Sequence, residues 1–140
     1  MMTRAILLLL AVALTGCVNQ TVKSTSVPPL AQPPQPIPDA QVLDVGVAIL
    51  DPGISELQDD DRVYPEIRRA EATFIARELT TTLEEVGAWG AVRVVPDTSQ
   101  FTDLLITGKI LHSDGEHLKL AVEVTDARGK QWIEKTYEGV

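Results

Sequence analysis

The side chains suited to proton transfer at neutral pH are His112 and His117, the two histidines of the sequence. They flank Ser113-Asp114-Gly115-Glu116, which reads as a hairpin turn. The two imidazoles are therefore expected to face each other, with Asp114 or Glu116 offering a carboxylate to a metal ion. Solvated residues at a loop end are the competing reading of the same pair. Ser99 and Ser113 lie in turn-forming contexts without the glycine pattern of a nucleophile elbow, and no Gly-rich phosphate loop follows the first strand. Asp59-Asp60-Asp61 lacks the alternating ligands and distal bidentate Glu of an EF-hand loop and reads as a solvated acidic loop. The expectation is a non-enzyme with no catalytic residue, no metal and no cofactor. Trp89 and Trp132 are the aromatic residues best placed to bind a partner, unless they close the core.

The remaining chemistry sits on Cys17, the single cysteine. It follows a short basic start at Arg4 and the apolar run Ala5 to Leu14, which is too short to span a bilayer and reads as a signal peptide. Leu14-Thr15-Gly16-Cys17 resembles the lipobox of bacterial lipoproteins. That resemblance implies cleavage after Gly16, a diacylglycerol on the Cys17 thiol and acylation of its new amino group. Several chains on one residue make stable attachment, because each buried CH2 adds roughly 0.8 kcal/mol and one chain holds only marginally. The alternatives are an ordinary secretory signal with an incidental cysteine and a cytosolic protein with an apolar start. Val18 and Asn19 follow the cysteine, without the aspartate that commonly marks inner-membrane retention in such lipoproteins. The expectation is therefore an outer-membrane lipid anchor with the domain in the periplasm.

Charge narrows the partners further. The sequence carries a net charge of −8, and loss of Arg4 with the leader makes the mature chain one unit more negative. An acidic chain has no basic patch with which to replace counterions on a nucleic acid or an anionic headgroup surface. The membrane link is expected to be the lipid, the partner another envelope protein, and nucleic acid is excluded.

These features need positioning elements. Residues 1–16 form the leader, and residues 17–41 hold the lipidated cysteine and a tether crowded with Pro28, Pro29, Pro33, Pro34, Pro36 and Pro38. Proline-rich chain samples polyproline II geometry at about 3.1 Å per residue, which holds the domain up to roughly 60 Å from the bilayer. The domain spans residues 42–140. Leu43, Val45, Val47 and Ile49 alternate with smaller or polar residues, predicting a strand over Val42 to Leu50. Pro65, Glu66 and Gly87 are the start and stop signals of a helix with an apolar stripe of Ile67, Ala70, Phe74, Ile75, Leu79, Leu83 and Val86. Charged residues from Arg68 to Glu85 are expected to fill its outer faces. Thr80, Thr81 and Thr82 cost helix propensity that packing must offset.

Further strands are predicted over Ala91 to Val95, Leu104 to Leu111, Leu118 to Thr125 and Gln131 to Glu138, with turns at Ser113-Glu116 and Asp126-Gly129. The order β-α-β-β-β makes an α+β fold: a small mixed or antiparallel sheet of four to five strands with one long helix on one face. A small sheet often needs a second covering helix, and none is read before Val140, so a longer natural chain is one expectation.

The run from Arg68 through Leu79, Leu83 and Gly87 into Val92-Arg93-Val94-Val95, then Asp103-Leu104-Leu105-Ile106-Thr107-Gly108, then Val122-Glu123-Val124-Thr125-Asp126 with Gly129-Lys130, resembles the auxiliary lipoproteins of lipid-handling ABC transporters. It is also similar to the TolB N-terminal type of domain. The resemblance covers Val42 to Val140, implies a strand, a helix ending near a small residue, a variable strand and a meander, and carries over no catalytic residue. The leading expectation is a non-enzymatic accessory module in outer-membrane transport or assembly. An activator of cell-wall synthesis reaching through the peptidoglycan and a metal-binding or enzymatic module using the His112 and His117 hairpin are the alternatives.

Overall fold

A computed structural model describes residues 29–56, 64–98 and 102–139. The leader, Cys17 and the tether as far as Pro28 lie outside them, as do Asp59 to Asp61 and Ser99. The elements are β1 (Val45–Ala48), α1 (Pro65–Val86), β2 (Val92–Val95), β3 (Leu104–Ser113), β4 (Leu118–Asp126) and β5 (Gln131–Gly139), the expected β-α-β-β-β order. They build one five-stranded mixed sheet of order β2-β1-β3-β4-β5. β1 runs parallel to β2 and β3, whereas β3-β4-β5 is an antiparallel meander.

The first strand is shorter than its alternation predicts, Val45–Ala48 instead of Val42 to Leu50, and a single 3-10 turn at Asp39–Gln41 lies ahead of it. Asp44 then ties two connections together: its Oδ1 accepts from the Ala91 N–H at 2.7 Å, and its own N–H donates to Asp103 Oδ2 at 2.9 Å. Gly90 lies against the same carboxylate, where a Cβ would collide with it. Strand entry, helix exit and the start of β3 are thereby joined at one end of the sheet.

The helix begins and ends where its signals place it. Pro65 occupies its first turn, and Gly87 adopts φ 65° and ψ 24°, its N–H donating to the Glu84 carbonyl at 3.1 Å. Its buried face differs from the predicted stripe. Arg68, Ala72, Ala76 and Thr80 are buried, with Ile75, Leu79 and Leu83 packed beside them, while Ile67 is 55% and Phe74 62% exposed. Ala70 is also exposed. The small side chains of Ala72 and Ala76 let the helix backbone approach β1 and β2 closely, and that contact fixes its rotation. Larger residues are left on its flanks. The three threonines each donate a hydroxyl hydrogen bond one turn back, Thr80 to the Ala76 carbonyl at 2.9 Å, Thr81 to Arg77 at 3.2 Å and Thr82 to Glu78 at 2.9 Å. Thr80 is thus buried without an unpaired hydroxyl.

Cross-strand partners share a face, so register assigns the two sides of the sheet. Val45, Val47, Leu104, Ile106, Ile110, Leu120, Val122, Val124, Ile133, Lys135 and Tyr137 fall on the helix side. Thr107, Lys109, Ala121, Glu123, Glu134 and Thr136 fall on the other. The core lies between α1 and β1-β2-β3, around Val45, Val47, Leu50, Leu104 and Ile110.

Candidate functional site

The β3-β4 hairpin brings the two histidines together, through a carboxylate rather than ring to ring. His112 Nε2 lies 3.3 Å and His117 Nδ1 3.5 Å from Asp114 Oδ2. The other oxygen, Asp114 Oδ1, accepts from the backbone N–H of His117 at 2.7 Å and of Glu116 at 2.9 Å. The His117 and Glu116 amides, followed by the His112 side chain, hold the Asp114 carboxyl well below the usual carboxylate range. Asp114 is thus a turn-forming residue whose acceptor capacity is spent on its own hairpin, and Gly115 completes the turn at φ 89°. Among the described residues no group of three or more His, Cys, Asp or Glu is arranged to hold a metal ion. Ser113, also weighed for chemistry, donates its hydroxyl to Glu71 Oε1 at 3.0 Å, and the other oxygen of that carboxylate lies 3.7 Å from Arg68 Nε.

The two tryptophans have different fates. Trp89 is half-buried, packs against the core, and carries a buried Nε1 that has no hydrogen-bond partner among the described residues. Trp132, at the bulge near the start of β5, is 53% exposed and donates its indole N–H to Asp126 Oδ2 at 3.1 Å. Asp126 mirrors Asp114 at the opposite end of β4, its Oδ1 accepting from the Lys130 and Arg128 amides at 2.9 Å each. The Lys130 amide first, then the Trp132 indole, lowers its pKa.

Where α1 ends, the apolar side of the sheet stays open. The helix packs on β1 and β2, leaving Leu118, Leu120 and Val122 of β4 half-buried, Ile133 44% and Tyr137 45% exposed, and all of β5 from Gln131 to Gly139 exposed. Beside the N-terminal half of α1 this surface deepens into a groove of about 410 Å³, with Phe74, Ile75 and Leu118 on its walls and Glu71, Glu116 and His117 at its rim. The opposite face of the sheet holds a groove of about 570 Å³ lined by charges of both signs, among them Asp51, Lys109, Glu123 and Glu134. Lys109 is already 3.9 Å from Asp51 there.

Arg68, expected on a solvated face, is buried beneath the hairpin. Its Nη2 donates to the Ser113 carbonyl at 3.3 Å and its Nε sits 3.7 Å from Glu71 Oε2, which pins the start of α1 to the end of β3. Its place at helical spacing with Ala72, Ala76 and Thr80 is the sequence signal for that burial, masked by its charge. Among the described residues no helix is long and apolar enough to cross a membrane. No protein-family model matches the chain, and no curated protein matches it significantly.

Proposed function

We propose that the chain is a lipid-anchored envelope lipoprotein whose domain is a non-enzymatic accessory module, docking onto another envelope protein in outer-membrane transport or assembly. One observation carries the docking role: among the described residues a five-stranded sheet bears a single α-helix, packed on β1 and β2, with Ile133, Tyr137 and the full length of β5 exposed. An apolar surface of this kind, rimmed by polar residues, is a feature of protein interaction sites. The lipobox-like Leu14-Thr15-Gly16-Cys17 supports the anchor, and the proline-rich tether that follows would confine the domain's search for partners near the membrane.

Two experiments test the two halves of this reading. Palmitate labels the native protein, and Cys17→Ser abolishes both label and membrane fractionation; unchanged labelling overturns the anchor. Crosslinking and affinity capture in intact envelopes recovers transporter or assembly subunits. Recovery of wall synthases instead would favour a role in cell-wall synthesis. If only metal or small ligands co-purify, and substitution of His112 and His117 removes the phenotype, the accessory role is wrong.

A further inference from the structure

We infer that the charge order of β5 closes the free edge of the sheet to a second copy of this chain, an inference that goes beyond the docking role and does not depend on it. β5 is the last strand of the sheet, nine residues long and exposed throughout, and among the described residues no strand pairs with its outer side. A long exposed edge is a template for another strand, and an identical strand is always at hand. Symmetry limits how two copies can meet. In an antiparallel pair related by a two-fold axis normal to the sheet, side chains directly opposite each other share a face, so β5 can shift against its copy only two residues at a time. The register that uses all nine residues sets Ile133 against the copy's Tyr137 twice over, but it also sets Lys135 against the copy's Lys135.

Sliding the copy one way sets Glu134 against Glu134, and sliding it the other way sets Glu134 against Glu138 twice. Every symmetric register that pairs seven or more residues therefore opposes like charges, all of them beyond the bulge near Gln131. Shorter registers escape the clash and give up both contacts between Ile133 and Tyr137. Like charges directly opposite each other are destabilising at separations of about 5 Å, inside the roughly 8 Å over which physiological salt screens. Lys135 is the chief guard. It makes no ion pair among the described residues, and its ammonium lies 5.0 Å from the Tyr137 ring centroid. The two carboxylates are partly met from within: Glu134 accepts from Gln131 Nε2 at 3.1 Å, and Glu138 lies 3.3 Å from Lys119 Nζ.

The test uses the full-length chain in intact envelopes, with a photo-crosslinking phenylalanine analogue at Tyr137 and adducts to a second copy mapped by mass spectrometry. The parent should give little adduct between copies. Lys135→Thr should raise it about fivefold, the scale of removing one opposed pair, with the new adduct mapping to the region of Ile133. The substitution makes the chain one unit more negative than its net charge of −8, so repulsion between whole chains would lower the adduct instead. Lys135→Gln should behave like Lys135→Thr, and Lys135→Glu, which opposes like charges again, should return the adduct to the parent level. Position 135 is exposed, so all three variants should keep the far-UV circular dichroism of the parent. Three results overturn the inference. They are a strong adduct to the Ile133 region in the parent, no rise in folded Lys135→Thr and Lys135→Gln, and a rise in Lys135→Glu equal to theirs.

Discussion

The two halves of the sheet solve opposite problems with strands of the same chain. β1 is four residues long, parallel to both neighbours, and buried at every position; β5 is nine residues long, antiparallel to β4, and exposed at every position. Parallel strands are stable where a crossover helix covers them, and β1-α1-β2 is such a unit. The antiparallel meander tolerates water on its faces, so it extends past the helix and is held by its two turns instead. The difference separates packing from presentation: the covered half carries the stability and the open half carries the surface.

Paired truncations test that division most sharply. Ile110→Ala, at a side chain 1% exposed beneath the helix, should cost about 2–5 kcal/mol, whereas Ile133→Ala on the open half should cost no more than about 1 kcal/mol. Urea unfolding at constant m-value reads both. Equal losses would mean that the open half is packed in solution and the contrast is false. A second pair addresses the helix. Ala76→Leu overfills the contact between α1 and the sheet and should cost about 1–3 kcal/mol, while Phe74→Ala should change stability by no more than about 0.5 kcal/mol.

The same contrast explains how far the sequence could be read. Strand alternation and the Pro65 and Gly87 signals depend on local chemistry, and each element they predict is present. The rotation of α1 depends on what lies beneath it. A count of apolar residues favours the face with Ile67 and Phe74, whereas the close approach available through Ala72 and Ala76 favours the one adopted, at the expense of burying Arg68. Likewise, the spacing of His112 and His117 places them on one hairpin, but only the turn geometry shows that Asp114 stands between them. The order β2-β1-β3 was not legible at all, because nothing in a strand's own pattern names its neighbours.

If the turns hold the open half, acid should loosen it. The carboxyls of Asp114 and Asp126 are both lowered by the amide hydrogen bonds they accept, so the unfolded chain takes up protons at a pH where the folded chain does not. Their contribution is complete above the ordinary aspartate pKa of about 3.9 and is lost as pH falls below it. Thermal melts should therefore be flat with respect to these groups near neutrality and decline below about pH 4. Asp114→Asn with Asp126→Asn should make that decline shallower. An unchanged slope would show that the turns do not depend on the two charges.

The smallest effect is expected where the two tryptophans are set apart. Trp132→Phe removes one hydrogen bond to Asp126 at an exposed position and should cost no more than about 1 kcal/mol in urea unfolding. It also leaves Trp89 as the sole emitter, since the sequence holds two tryptophans. Trp89 packs against the covered core, so the variant should emit further to the blue than the parent and should be less accessible to acrylamide. Trp89→Phe should leave red-shifted, readily quenched emission from Trp132. Emission from the two single-tryptophan proteins that is equally quenched would place Trp89 in water as well, and the boundary between the packed and the presenting halves would then have to be drawn inside the core.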